Sequence, residues 1–179
     1  MMNQSNFDTI ITIPRVNKKG VITGHIERWE AHRNGILHKA FSVVLLFRNQ
    51  FILQIRKHRV FDCVIDVTAS SHPEIAQGGV EHEEKAILRC LKREWHINSE
   101  EIHTLKSVGS IYYKSPDSRS EFIEHEYCTF YTAHVDKMIF PNYEFAYGYV
   151  LINKDYFKKN SQSLRFAPWV EKAFQKKLL

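Results

Sequence analysis

Short runs in which hydrophobic and polar positions alternate, rich in β-branched and aromatic residues, predict strands over residues 7–13, 41–47, 51–55, 64–68, 105–113, 122–134 and 145–152. Asn17-Lys18-Lys19-Gly20 and Arg48-Asn49-Gln50 interrupt these runs as turns, the second closing a hairpin. The period changes at Glu83 to Trp95, where Ala86, Ile87, Cys90, Leu91 and Trp95 form an apolar stripe at helical spacing, with Glu83 and Glu84 in the favourable first turn. A second helix is expected to start near Pro168 and run through Phe174. Strands interspersed with a few helices predict an α+β sandwich around a mixed or mainly antiparallel sheet. No repeat or linker divides the chain, so residues 1–179 are expected to form one domain.

Composition narrows what such a domain can do. The chain has 179 residues, 44% hydrophobic and 13% aromatic, enough for one substantial core. Its net charge of +5 and pI near 9.1 favour anionic partners. The basic residues are scattered, with no block of the kind a nucleic-acid tail would show, so a small phosphorylated ligand fits at least as well as a polynucleotide. Cys63, Cys90 and Cys128 are odd in number and contain no CxxC pair, which argues against a disulfide framework or a thiolate zinc site and for a reducing compartment. The first residues lack a basic segment followed by an apolar stretch, and no run of about 18 apolar residues occurs. A soluble, cytoplasmic protein with no membrane partner is expected.

Along residues 122–134, period-2 alternation puts Phe122, Glu124, Glu126, Cys128 and Phe130 on one face. Carboxylates among large apolar groups need a cation or hydrogen-bond donors. Ordinary surface charges at a solvated strand end remain the alternative. His32 and His38 flank the short segment 33–37 and His72 follows the strand over 64–68, and three imidazoles with two carboxylates would suit Mn²⁺, Fe²⁺ or Zn²⁺. With ten histidines in the chain, spacing alone leaves this as a suggestion.

The helix offers a second acidic group. Against the Nudix pattern G-x5-E-x7-R-E-U-x-E-E-x-G-U (U, bulky apolar), anchoring on Arg89 matches Glu81, Arg89, Leu91, Glu94 and Ile97. Ile75, Cys90, Arg93 and His96 depart from it; anchoring on Gly78 places Glu84 correctly but puts Lys92 and Arg93 where Arg-Glu should be. Nudix hydrolases use several such carboxylates to hold Mg²⁺ on a diphosphate and activate water. Only Glu94 remains on that part of this helix.

Together, Leu37-His38-Lys39-Ala40-Phe41-Ser42, Ser71-His72-Pro73, Arg89 to Ile97, Glu124-His125-Glu126 and Phe166-Ala167-Pro168-Trp169 resemble, in this order, the type I isopentenyl diphosphate isomerases, an offshoot of the Nudix fold. The resemblance implies a metal site of His32, His38, His72, Glu124 and Glu126 for Mn²⁺ or Zn²⁺. It implies that Glu94 helps hold Mg²⁺ on the substrate diphosphate, and that Arg56, with Arg28 and Arg59, grips the diphosphate oxygens. Isomerisation in that family adds a proton to an alkene and removes another through a tertiary carbocation. Glu126 assisted by Tyr113 would be one acid/base group, and Trp169 would face the cation.

The other acid/base group is the family's cysteine, and Ser70 stands at that position. A serine hydroxyl is a much weaker acid than a thiol and needs a neighbouring base. Phe61-Asp62-Cys63-Val64-Ile65 also departs from the family's aromatic-Pro-Gly-x-Trp stretch, and residues 75–81 should form a longer loop. The expected function is therefore interconversion of isopentenyl and dimethylallyl diphosphate, attenuated at Ser70. Hydrolysis of another organic diphosphate, and a metal-containing binding protein without turnover, are the alternatives.

Overall fold

A computed structural model describes residues 9–76, 78–160 and 164–179, with only the backbone of 158–160. The chain begins with strands β1 (Thr12–Val16) and β2 (Ile22–Glu27), followed by helix α1 (Arg28–Asn34) and the hairpin β3 (His38–Phe47) and β4 (Gln50–Arg56). Four short strands come next: β5 (Ile65–Asp66), β6 (Ala69–Ser71), β7 (Ile75–Ala76) and β8 (Gly79–Val80). Helix α2 (Glu83–Trp95), the long strands β9 (His103–Pro116) and β10 (Ile123–Val135), strand β11 (Ala146–Asn153), α3 (Lys154–Asn160) and α4 (Pro168–Gln175) complete the order.

Nine of these strands share one mixed sheet whose main path runs β11-β4-β3-β1-β2. The β3–β10 pair is parallel, bringing Glu126 opposite His38 and Cys128 opposite Ala40. On the other side of β10, β9 runs antiparallel and puts Tyr113 opposite Glu126. Strand β6 pairs antiparallel with β3 and sets Ser70 opposite Ser42.

Alternation along β3 feeds two cores, one on each face of the sheet. Phe41, Val43 and Leu45 pack towards Ala86, Ile87, Cys90, Leu91 and Trp95 of α2. Ala40, Val44 and Leu46 pack with Trp169, Val170 and Ala173 of α4. Both helices bury the stripes their periodicity indicates, and α4 carries Pro168 in its first turn, where its missing N–H costs nothing. His96 ends α2 in the left-handed conformation, φ 56°, at the place where the Nudix pattern has glycine.

Several expected boundaries move. The first strand begins at Thr12 rather than residue 7, and residues 7 and 8 lie outside the described residues. The run expected over 64–68 shortens to β5, and a separate strand β6 follows it, because the chain switches partners from β4 to β3. The longer loop over 75–81 contains the small β7–β8 hairpin. Strand β2 and helix α1 escaped the periodicity reading because β2 has no fully buried residue and α1 is only seven residues long. Helix α1 is set by its ends: Glu27 accepts from the N–H groups of Trp29 and Glu30, and Gly35 closes it at φ 57°.

Candidate metal and diphosphate site

Helix α1 brings His32 to the sheet, β3 begins with His38, and the segment after β6 presents His72. Their ligand atoms and those of Glu124 and Glu126 lie within 4.8 Å of one another. The two carboxylates are buried, so the surface-charge alternative does not hold. Strand register decides this: β10 turns Glu124 and Glu126 inwards together, and the parallel pairing sets Glu126 beside His38.

The imidazoles are oriented for ligation. His32 Nδ1 lies 2.6 Å from the Arg28 carbonyl and His38 Nδ1 2.7 Å from that of Ile36. Donation from Nδ1 leaves each Nε2 lone pair directed at the carboxylates, the arrangement metal-binding histidines use. His72 Nε2 is 3.0 Å from Glu126 Oε1. Burial, with His38 and His32 beside it, holds His72 well below its usual pKa and keeps it neutral. His38 Nε2 and Glu124 Oε2 are buried without a hydrogen-bond partner. An imidazole nitrogen and a carboxylate oxygen, both orphaned within a cluster of three histidines and two glutamates, match a divalent cation of the Mn²⁺ or Zn²⁺ type, so the residues fit the metal the resemblance implies.

Above the cluster opens a cavity of about 190 Å³ lined by Arg28, Trp29, His58, Arg59, Ser70, His72, Arg93, Glu94 and Glu124 among others. Arg28 Nε and Nη2, Arg93 Nε and His58 Nε2 are buried there without hydrogen-bond partners. Burial, with Arg93 nearby, lowers Arg28 to about 10. Unpaired buried donors around a cavity are what an anionic ligand would satisfy. Glu94 is buried with Oε1 2.6 Å from Arg93 Nη2, while Oε2 has no hydrogen-bond partner, so one carboxylate oxygen could take a cation. Arg59 stands over the Trp29 ring at 5.5 Å.

A smaller cavity of about 40 Å³ is lined by Ser70, His72, Tyr113, Glu124, Glu126, Trp169, Arg56, Ala40, Phe41 and Ser71. The Tyr113 hydroxyl donates to Glu126 Oε2. Burial and the adjacent Glu126 push Tyr113 well above its usual pKa, so it keeps its proton. Trp169 is buried with its ring centroid 6.0 Å from that of Tyr113. Arg56 lines both cavities yet is tied down on three sides: Nη1 donates to Asp66 at 2.7 Å, Nη2 to the Val60 carbonyl and Nε to the Phe61 carbonyl.

Asp66 carries weight that composition did not suggest. It is fully buried in β5 and accepts from Ser70, Trp169, Val67 and Arg56. A carboxylate within an otherwise apolar run was the available signal. Arg93 and His58 were also passed over, Arg93 because it stood where a Nudix glutamate was expected. The Glu81–Arg89 pair has a visible purpose, since Arg89 Nη2 donates to Glu81 and to the His72 carbonyl, tying the ligand-bearing segment to α2.

Comparison with solved structures places this architecture. DR0079 from Deinococcus radiodurans superposes with a TM-score of 0.67 at 15% identity, over 92% of this chain and 98% of its own. An Ap4A hydrolase from C. elegans superposes at 0.54 with 13% identity over 77% and 93%. A MutT NUDIX hydrolase from Burkholderia pseudomallei gives 0.52 with 14% identity over 78% and 96%. The chain has the Nudix fold. No family model matches the sequence, and no curated protein matches it. The isomerase resemblance therefore rests on the sequence motifs alone. All three cysteines are free, and no described helix is long and apolar enough to cross a membrane.

Proposed function

We propose that this protein is a metal-dependent enzyme acting on an organic diphosphate, and that its reaction is the 1,3-allylic proton transfer interconverting isopentenyl and dimethylallyl diphosphate. The observation that carries the reading is the convergence of His32, His38, His72, Glu124 and Glu126 beside a cavity that Ser70, Tyr113 and Trp169 also line. Arg28, Arg59 and Arg93, which line the larger cavity, would receive the diphosphate, leaving the hydrocarbon to occupy the smaller one. Glu126 and Tyr113 would hold the proton delivered to the alkene, Trp169 would face the tertiary cation, and Ser70 would exchange the second proton. A divalent cation in the histidine site would polarise Glu126, and Mg²⁺ at Glu94 would neutralise diphosphate charge.

Hydrolysis of another organic diphosphate is the second reading, and the fold comparisons favour it over isomerisation. Two of the compared proteins are named as hydrolases, one of them an Ap4A hydrolase, and none as an isomerase. Against it stands α2, where Glu94 is the one residue kept from the acidic triplet of the Nudix pattern.

Incubation with isopentenyl diphosphate in heavy water, with Mg²⁺ and Mn²⁺ present, separates these readings by proton and phosphorus NMR. Deuterated dimethylallyl diphosphate is expected. Phosphate release without allylic product, from this or another diphosphate, would establish the hydrolase. Tight binding of a prenyl diphosphate without product would leave a binding protein.

A further inference from the structure

The Ser70 side chain does not stand alone. Its Oγ lies 3.1 Å from Asp66 Oδ1 and 2.9 Å from Ser42 Oγ, and Ser42 Oγ lies 3.3 Å from Cys128 Sγ. Trp169 Nε1 and the Val67 N–H also donate to Asp66 Oδ1, while Arg56 Nη1 donates to Oδ2. A carboxylate encircled by donors is an acceptor, so the single Ser70 proton points at Asp66. Ser42 must then donate to Ser70, and the Cys128 thiol to Ser42. Every donor in this row points towards Asp66, and one Ser70 lone pair is left for the cavity that Ser70 lines. Asp66 lines neither cavity; of the lining residues it touches, Ser70, Trp169 and Arg56, Ser70 alone can both accept a proton from a ligand and pass one to the carboxylate.

We propose that Asp66 is the base behind Ser70, a positioning residue that takes the hydroxyl proton as Ser70 removes a proton from the substrate carbon. The inference rests on the isomerase reading. The C–H bond of the tertiary cation breaks, its electron pair forms the new alkene, and its proton passes to Ser70 Oγ. The proton already on Ser70 moves to Asp66 Oδ1. Ser70 ends as it began, Asp66 gains one proton, and the Glu126–Tyr113 side has lost the one it gave the alkene. Exchange with water resets both sides.

Burial raises Asp66 above the usual carboxylate pKa against the pull of Arg56, which makes it a better proton acceptor than an exposed aspartate. A serine needs such a partner, whereas a cysteine at the same position ionises by itself. That difference separates proton transfer from mere support of Trp169 and Arg56.

The test is a double-mutant cycle on the full chain with isopentenyl diphosphate, reading kcat, KM and deuterium uptake from heavy water. Asp66→Asn is expected to lower kcat about 100-fold with little change in KM. In the Ser70→Cys background the same change should cost less than about fivefold, because the thiol no longer needs the carboxylate. Equal losses in the two backgrounds, with the unaltered protein active, would overturn the role of Asp66 and leave the isomerase reading standing. No deuterium uptake by the unaltered protein would overturn both. Should Asp66→Asn not fold with Arg56 left unpaired, a proton inventory in mixed light and heavy water replaces it. A linear dependence with Ser70, from the one solvent-derived proton passing to Asp66 as the carbon-bound proton leaves, that flattens in Ser70→Cys supports the relay, and the same slope in both overturns it.

Discussion

The floor and the mouth of the site are built on opposite terms. On the floor, His32, His38, His72, Glu124 and Glu126 face one another, mainly from strand backbones whose register fixes them to within a few ångströms. At the mouth, Arg28, His58, Arg59 and Arg93 gather around Glu94, and Arg28 Nε and Nη2, His58 Nε2 and Arg93 Nε are buried without a hydrogen-bond partner. The floor gathers groups that suit a cation; the mouth gathers donors that suit an anion. A substrate with a charged diphosphate head and an apolar tail would satisfy the second while its tail lies beside the first.

That contrast breaks most clearly at the floor. His38→Ala is expected to abolish bound Mn²⁺ or Zn²⁺ by elemental analysis and to lower activity more than about 100-fold, because it removes a ligand that sits inside a strand and cannot be replaced from solvent. If the metal content were unchanged, the cluster would be a hydrogen-bonded core and not a metal centre. At the mouth, Glu94→Gln should lower turnover about 100-fold and raise the Mg²⁺ needed for half-maximal rate, with the floor metal retained. Loss of both metals together would show that floor and mouth are one site.

A smaller effect is expected from Arg28→Gln, which should raise KM about tenfold, with kcat nearly unchanged, and flatten the dependence of KM on salt. A fall in kcat of the same size would place Arg28 in the transition state instead. The smallest concerns Cys63, held at φ 58° where the isomerase family has glycine. Cys63→Gly should stabilise the fold by about 1 kcal/mol or less, read as a slightly raised Tm, because glycine enters the left-handed region without steric cost.

Much of the scaffold follows from local pattern. The 3.6-residue stripe of α2 marks both its ends, and Pro168 marks the start of α4, because helix signals lie within a few residues of one another. The face shared by Glu124, Glu126 and Cys128 is likewise a consequence of alternation alone. Strand β2, helix α1 and the split of β5 from β6 were not legible, since their boundaries depend on which neighbour the chain meets.

By itself the sequence determined the inventory: which residue types could bind a metal or a phosphate, and which face of each strand or helix they occupy. Only the tertiary structure decided their meeting. The parallel pairing of β3 with β10 sets His38 against Glu126, and the turn from β5 to β6 carries Asp66 behind Ser70. Side-chain direction is written into a few bonds of local backbone, whereas the register between distant strands is chosen by burying both cores at once, and a shift of one residue would turn the glutamates to the opposite face.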